Sequence, residues 1–212
     1  MFKKALFPIH IYQRNVKETV YLQDELVELI YSGYKTDKNR KAPQGWFTDR
    51  IYTTFDNNDG INATIFSTNP KIREIYFDNI TKFFDQEVSF DIINFWANVY
   101  ENGEYQEDHT HLSDEYNART AQFSCIHFLK FDSEKHIPVA FVDPIEITRY
   151  TSLEMKSNYY RSHYYPKVNE GDLLMFPSYL GHFVRPSEPT PGNPRITVSF
   201  NLALNYYGEQ ST

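Results

Sequence analysis

A single cysteine, Cys125, in 212 residues excludes an internal disulfide and any paired-thiolate metal site. It stands in a strand-like context, Phe123-Ser124-Cys125-Ile126, where a buried, inert thiol is expected. Glycine is scarce, eight residues against eleven prolines, and neither clusters, so short connections are expected rather than a long flexible linker. Basic residues are in deficit: 21 Lys and Arg against 28 Asp and Glu give a formal net charge of −7. That balance argues against broad binding to nucleic-acid phosphates. No apolar run approaches the length of a membrane span, and the N-terminal stretch with Lys3 and Lys4 lacks the apolar segment of a secretory signal. A cytoplasmic, reducing location is the expectation. What the chain has in abundance is aromatic side chains, 17 Phe and 17 Tyr, which favour strands.

The length suits a single domain over 1–212, with a helix-bearing part over 1–88 and a strand-rich core over 89–205. A short strand is expected over residues 6–12. Residues 15–31 carry Val20, Leu22, Leu26, Leu29 and Ile30 near one helical face, and residues 69–85 repeat the pattern with Ile72, Ile75, Tyr76, Ile80 and Phe83. From Ser89 the texture changes to alternation. Residues 91–100 put Asn94, Trp96, Asn98 and Tyr100 on one face and Phe95, Ala97 and Val99 on the other. Asn102-Gly103 marks a turn. Further strands are predicted over 121–131, 139–142, 163–168, 172–176, 181–185 and 195–204. Two helices followed by seven or eight strands fit a mainly β jelly roll with N-terminal helices packed on one sheet. An immunoglobulin-like sandwich is the rival that periodicity does not exclude.

Three of the seven histidines are suggestively placed. His109 and His111, two apart on an extended chain, project from the same face and can reach one metal ion. His182 opens a strand after the bend at Pro177-Ser178, as a remote third ligand would. An isolated His-x-His pair is commonly a surface feature, and imidazole suits Fe, Zn, Cu and Ni alike. The last strand adds weight. Arg195, Thr197, Ser199 and Asn201 alternate with Ile196, Val198, Phe200 and Leu202. The polar side holds one guanidinium and three small hydrogen-bonding groups instead of the Lys and Glu usual on exposed sheets, and reads as a pocket lining. A guanidinium there can grip a carboxylate through two parallel hydrogen bonds, with Thr197 adding a third.

Taken in order, Phe95-Trp96-Ala97-Asn98-Val99-Tyr100, Gly103-Glu104-Tyr105-Gln106, His109-Thr110-His111, Phe141-Val142-Asp143-Pro144, Gly171-Asp172-Leu173-Leu174-Met175-Phe176-Pro177-Ser178, His182 and Arg195-Ile196-Thr197-Val198-Ser199-Phe200-Asn201 resemble the 2-oxoglutarate/Fe(II)-dependent oxygenase superfamily. More narrowly they resemble a family of such oxygenases found in cyanobacterial phages and marine bacteria. Leu6-Phe7-Pro8 and Gly45-Trp46 share the likeness, which covers nearly the whole chain. The resemblance implies a double-stranded β-helix, Fe(II) held by His109, His111 and His182, and 2-oxoglutarate anchored at its far carboxylate by Arg195 with help from Thr197. Asn98 and Tyr100 would line the cosubstrate pocket. O₂ and a primary substrate would be the partners, the latter a protein or peptide side chain or a small molecule, and the activity a hydroxylase-type oxidation.

Two departures stand out. Relatives pair two histidines with a carboxylate, whereas His111 occupies the carboxylate position; Asp108, Asp114 and Glu115 are the nearby substitutes. Phe128 stands where relatives carry a tyrosine hydroxyl near the cosubstrate. Residues 145–165, rich in tyrosine, suit a lid or an ordinary surface insertion equally. A cupin-like three-histidine dioxygenase without 2-oxoglutarate, and a non-enzymatic jelly-roll binding module, are the alternative functions.

Overall fold

A computed structural model describes residues 8–16, 20–37, 42–48, 51–55, 70–85, 87–112, 120–145 and 162–205. The chain opens with β1 (Tyr12–Asn15), α1 (Val20–Thr36), β2 (Tyr52–Thr53) and α2 (Pro70–Thr81). Eight strands follow: β3 (Ser89–Tyr100), β4 (Gln106–His109), β5 (Phe123–Lys130), β6 (Ala140–Val142), β7 (His163–Tyr164), β8 (Asp172–Pro177), β9 (His182–Val184) and β10 (Arg195–Asn205).

The strands form a six-stranded sheet in the order β1-β8-β5-β10-β3-β2 and a four-stranded sheet in the order β4-β9-β6-β7. The paired strands are antiparallel. Side chains of both sheets line one cavity between them. This is the jelly roll that the sequence pattern favours over the sandwich, and the double-stranded β-helix that the resemblance implies. Among the described residues no helix is long and apolar enough to cross a membrane.

The helices seal the outer face of the larger sheet. In α1, Leu26 and Ile30 lie one turn apart and are fully buried. In α2, Ile72, Ile75, Tyr76 and Ile80 follow the helical period and join the same core as Ile196, Val198, Phe200 and Leu202 of β10. Pro70 occupies the first position of α2, where its missing N–H costs nothing. After Thr81 the chain tightens into i→i−3 bonds from Phe83 to Ile80 and Phe84 to Thr81, which end the helix before the predicted residue 85.

Two N-terminal expectations are corrected. Within the described residues the first strand is not over 6–12 but at Tyr12–Asn15, paired to β8, and the first helix runs to Thr36, not to residue 31. Asn15 and Val16 are claimed by the sheet: Asn15 donates to the Glu170 carbonyl and Asp172, and Val16 N–H to the Gly171 carbonyl. At the other end, Ser32 and Thr36 hydroxyls donate to carbonyls within the helix. The Lys35 ammonium sits 3.9 Å from the Tyr31 ring centroid, so the polar stretch continues the helix instead of opening a loop.

The register between β10 and β3 decides the interior. Arg195 pairs with Tyr100, Thr197 with Asn98, Ser199 with Trp96 and Asn201 with Asn94. On its other edge β10 sets Thr197 beside Phe128 and Asn201 beside Ser124. The two chemically distinct faces of β10 thus meet two different interiors, an apolar one under the helices and a polar one between the sheets. Residues 195–203 are all buried.

Candidate metal centre and adjoining cavities

Strands β4 and β9 of the smaller sheet pair with His109 directly opposite His182. The chain leaving β4 is then pinned by the His111 N–H, which donates to the Ser178 carbonyl at 2.9 Å. Three imidazoles converge: ring centroids stand 4.2 Å apart for His109 and His182, 4.8 Å for His111 and His182, and 5.1 Å for His109 and His111. One ligand nitrogen from each lies within 4.8 Å of the others.

The hydrogen bonds behind the rings choose which nitrogen that is. His109 Nδ1 meets the Glu107 carbonyl oxygen at 2.8 Å, and His182 Nδ1 meets the Leu180 carbonyl at 3.0 Å. A carbonyl only accepts, so both rings carry their proton on Nδ1 and turn an Nε2 lone pair inward. His111 Nδ1 lies 2.8 Å from both Asn201 Oδ1 and Ser124 Oγ. Ser124 in turn donates to Asn201 Oδ1 at 2.9 Å and contacts Ser178 Oγ at 2.8 Å. Asn201 therefore plays for His111 the part that backbone carbonyls play for the other two. Burial holds all three imidazoles in the neutral form, with proximity to the other rings adding for His111, lowered to about 4, and for His182. Neutral imidazole is the metal-binding form. Gln106 sets its amide nitrogen 3.3 Å from His109 Nε2, a long and weak contact.

Among the described residues no carboxylate joins this cluster. Asp108 is exposed, and one of its oxygens lies 3.1 Å from where a Cβ on Gly181 would stand. Asp114 and Glu115 fall outside the described residues, as does most of the 145–165 segment.

Behind the histidines lies an inner cavity lined by Asn98, Tyr100, Arg195 and Thr197 together with all three rings. Every site residue singled out from the sequence faces this one space. Arg195 is 3 % exposed, and its Nε and Nη1 have no hydrogen-bond partner. Its guanidinium carbon sits 4.5 Å from the Tyr100 ring centroid and 5.5 Å from that of Phe128. Burial works against its charge, with Tyr100 opposing that shift. An unpaired buried cation costs several kcal/mol, on the order of what a matched anion restores. The nearby Asn98 Oδ1 is likewise buried without a partner. Three inward lone pairs at one end and an unanswered guanidinium at the other fit a metal ion and a ligand with an anionic end. Phe128 brings no hydroxyl to this space, consistent with the departure noted in the sequence.

An outer cavity shares Trp96, Gln106, His109 and His111 with the inner one and opens to the surface past Trp46, Phe47 and Leu112. Its aromatic wall is continuous: Trp46 lies 6.4 Å from the His109 ring and 5.6 Å from Phe55, and Phe55 lies 5.1 Å from Trp96. The roles of Phe55, Gln106, Ser124 and Asn201 escaped the sequence reading. Asn201 carries a signal in its place on the polar face of β10, and Gln106 in the stretch 103–106 that shares the family resemblance.

Residues 94–201 match the family model described as "Putative 2OG-Fe(II) oxygenase". No curated protein matches the chain. Among solved structures, a prolyl hydroxylase from Trichoplax adhaerens, in complex with a hypoxia inducible factor oxygen degradation domain peptide fragment, superposes over 91% of this chain and 83% of its own. Its TM-score is 0.56 at 12% identity. HygX from Streptomyces hygroscopicus, with nickel and 2-oxoglutarate bound, aligns over 93% and 84% with TM-score 0.55 and 12% identity. An oxidoreductase of the 2OG-Fe(II) oxygenase family from Burkholderia pseudomallei aligns over 91% and 85% with TM-score 0.53 and 14% identity. At such identities the likeness is one of fold.

Proposed function

This chain belongs to the 2OG-Fe(II) oxygenase family, and from that premise we propose that it hydroxylates a protein or peptide side chain, with His109, His111 and His182 holding Fe(II) and Arg195 and Thr197 holding the far carboxylate of 2-oxoglutarate. Family membership makes it a 2-oxoglutarate-dependent oxygenase with iron as its metal, which sets aside both the cupin-like enzyme without 2-oxoglutarate and the non-enzymatic binding module. When bound, iron and 2-oxoglutarate supply the oxidising power: O₂ is consumed, 2-oxoglutarate leaves as succinate and CO₂, and one oxygen atom enters a substrate C–H bond.

The protein's share is orientation. The Nδ1–H bonds to Glu107, Leu180 and Asn201 fix each imidazole with Nε2 toward the metal. Arg195 offers a planar fork to a carboxylate, and Tyr100 beside it limits the guanidinium's swing. Thr197 and Asn98 are at hand for the remaining lone pairs and protons of the cosubstrate. The observation that carries this reading is the buried, unpartnered Arg195 guanidinium in the same cavity as three inward-facing imidazoles.

A polypeptide substrate is favoured by the mouth of the outer cavity. Phe47 there is 89% exposed and Leu112 51% exposed, an apolar rim that a chain-like ligand would cover and a small metabolite would not. The deciding experiment adds 2-oxoglutarate to the Fe(II)-loaded protein without oxygen. A weak visible charge-transfer band is expected for the wild type and a much diminished one for Arg195→Ala. No band in the wild type, or an undiminished band in the variant, removes the cosubstrate assignment.

A further inference from the structure

We propose that the substrate group received by the outer cavity is cationic, an alkylammonium of the kind a lysine side chain presents. The inference rests on the reading that this cavity admits the primary substrate. Its starting point is Glu107. One carboxylate oxygen, Oε1, accepts the Phe47 backbone N–H at 2.9 Å, which fixes the group's orientation. The other, Oε2, is buried and has no partner. A buried carboxylate oxygen left without a donor is costly, and a charged donor is the group that repays it best.

The rest of the lining agrees in sign. Glu107 and Asp108 are the charged groups among the described residues around this cavity, and neither Lys nor Arg is among them. Trp46, Phe55 and Trp96 present a run of aromatic rings beside the two acids, and such rings attract cations over their faces. Trp96 is 3% exposed, and its Nε1 is buried without an acceptor where the two cavities meet. A ligand with a hydrogen-bond acceptor near its ammonium-bearing stem would answer both groups. A neutral apolar side chain would leave Glu107 Oε2 unanswered, and an anion would meet two like charges.

The spacing also suits an amine on a short stem. Glu107 stands two residues before His109, across an irregularity in the pairing of β4 with β9, and both side chains line the outer cavity. A butyl-length stem held at its ammonium end by Glu107 would bring its methylenes toward the histidine cluster.

Both tryptophans of the chain line this cavity, so indole emission reports its occupancy without any turnover. The Fe(II)- and 2-oxoglutarate-loaded protein would be titrated, without oxygen, with Nα-acetyl-lysine methylamide, n-butylamine, Nα-acetyl-norleucine methylamide and Nα-acetyl-glutamate methylamide. The lysine derivative is expected to bind about tenfold or more tightly than the norleucine one, with no response to the glutamate one. Glu107→Gln keeps the acceptor for Phe47 N–H and should erase most of that preference while leaving norleucine binding as it was. Lysine derivative over butylamine supports a side chain on a polypeptide; parity between them supports a free amine, and either order supports a cationic group. Norleucine binding as well as lysine in the wild type, a test that needs no variant, overturns the proposal, as does a full preference in Glu107→Gln. The charge-transfer band recorded on the same samples separates the two readings: a band with no lysine preference sinks the cationic substrate alone, and a missing band sinks the oxygenase site assignment.

Discussion

Arg195 and Tyr100 are direct partners across the β3–β10 ladder, and the guanidinium carbon of one lies 4.5 Å from the ring centroid of the other. The contact explains how a buried cation is tolerated before any anion arrives. It also makes arginine more than a positive charge at this position.

Arg195→Lys keeps the charge and loses both the fork and the flat surface that lies against Tyr100. Affinity for 2-oxoglutarate should fall by about tenfold or more, in line with the roughly 1.5–3 kcal/mol carried by a charge-assisted hydrogen bond. Anaerobic titration of the charge-transfer band measures it. A lysine variant that binds like the wild type would show that charge alone serves.

His182 is 3% exposed and packs 4.9 Å from Phe176. His182→Ala should leave no stoichiometric iron after loading and desalting, while the circular dichroism spectrum keeps its shape. Metal analysis that found one iron per chain in this variant would take His182 out of the ligand set.

Asn201 locks the His111 tautomer through a single oxygen shared with Ser124. Asn201→Ala should weaken iron binding by about 10–100-fold, the usual effect of losing the partner behind a ligating imidazole. Asn201→Asp, which still accepts from Nδ1, should retain most of the affinity. Competition with a chelator reads both, and an alanine variant with unchanged affinity would leave the lock without consequence.

His127 lies on the helix-facing side of β5, wholly buried, with its Nδ1 2.8 Å from the Tyr76 hydroxyl. Burial lowers its pKa from 6.5 to about 4. Above pH 6.5 it is neutral in folded and unfolded chains alike, and its contribution to stability is complete. As the pH falls below 6.5 the unfolded chain takes up the proton first, so stability declines until about pH 4, by up to about 1.4 kcal/mol per pH unit for this one group. Urea unfolding at pH 6.5 and 4.5 should show that decline, and His127→Asn should make it shallower by roughly one proton. An equal slope in both proteins would contradict the assignment.

What could be read from the sequence depended on contrast. The alternation in β3 and β10 was visible because one face carries Asn98, Tyr100, Arg195 and Thr197 and the other Val99, Ile196 and Val198. Both faces are buried, yet chemistry distinguishes them where exposure does not. His109, His111 and His182 could be suspected because imidazoles two apart plus a distant third form a recognisable set. The partners of those rings could not. Glu107 and Leu180 act through main-chain carbonyls that any residue possesses, and Ser124 reaches Asn201 only through the β5–β10 register. The two-residue strand β2 is too short to carry a period, and β7 ends at Tyr164, short of the strand predicted over 163–168. The start of α1 was misjudged because Asn15 and Val16 are held by β8 and Gly171, contacts more than 150 residues away in the chain.

Strand β10 has one further consequence for the life of the molecule. A slip of a single residue against β3 would swing Arg195 under the helices and drop Ile196 among the imidazoles. The greasy obverse of the ribbon therefore acts as a proofreader for its reactive side. A chain that misthreads this strand loses burial at once and carries Arg195 out of the cavity that the imidazoles line.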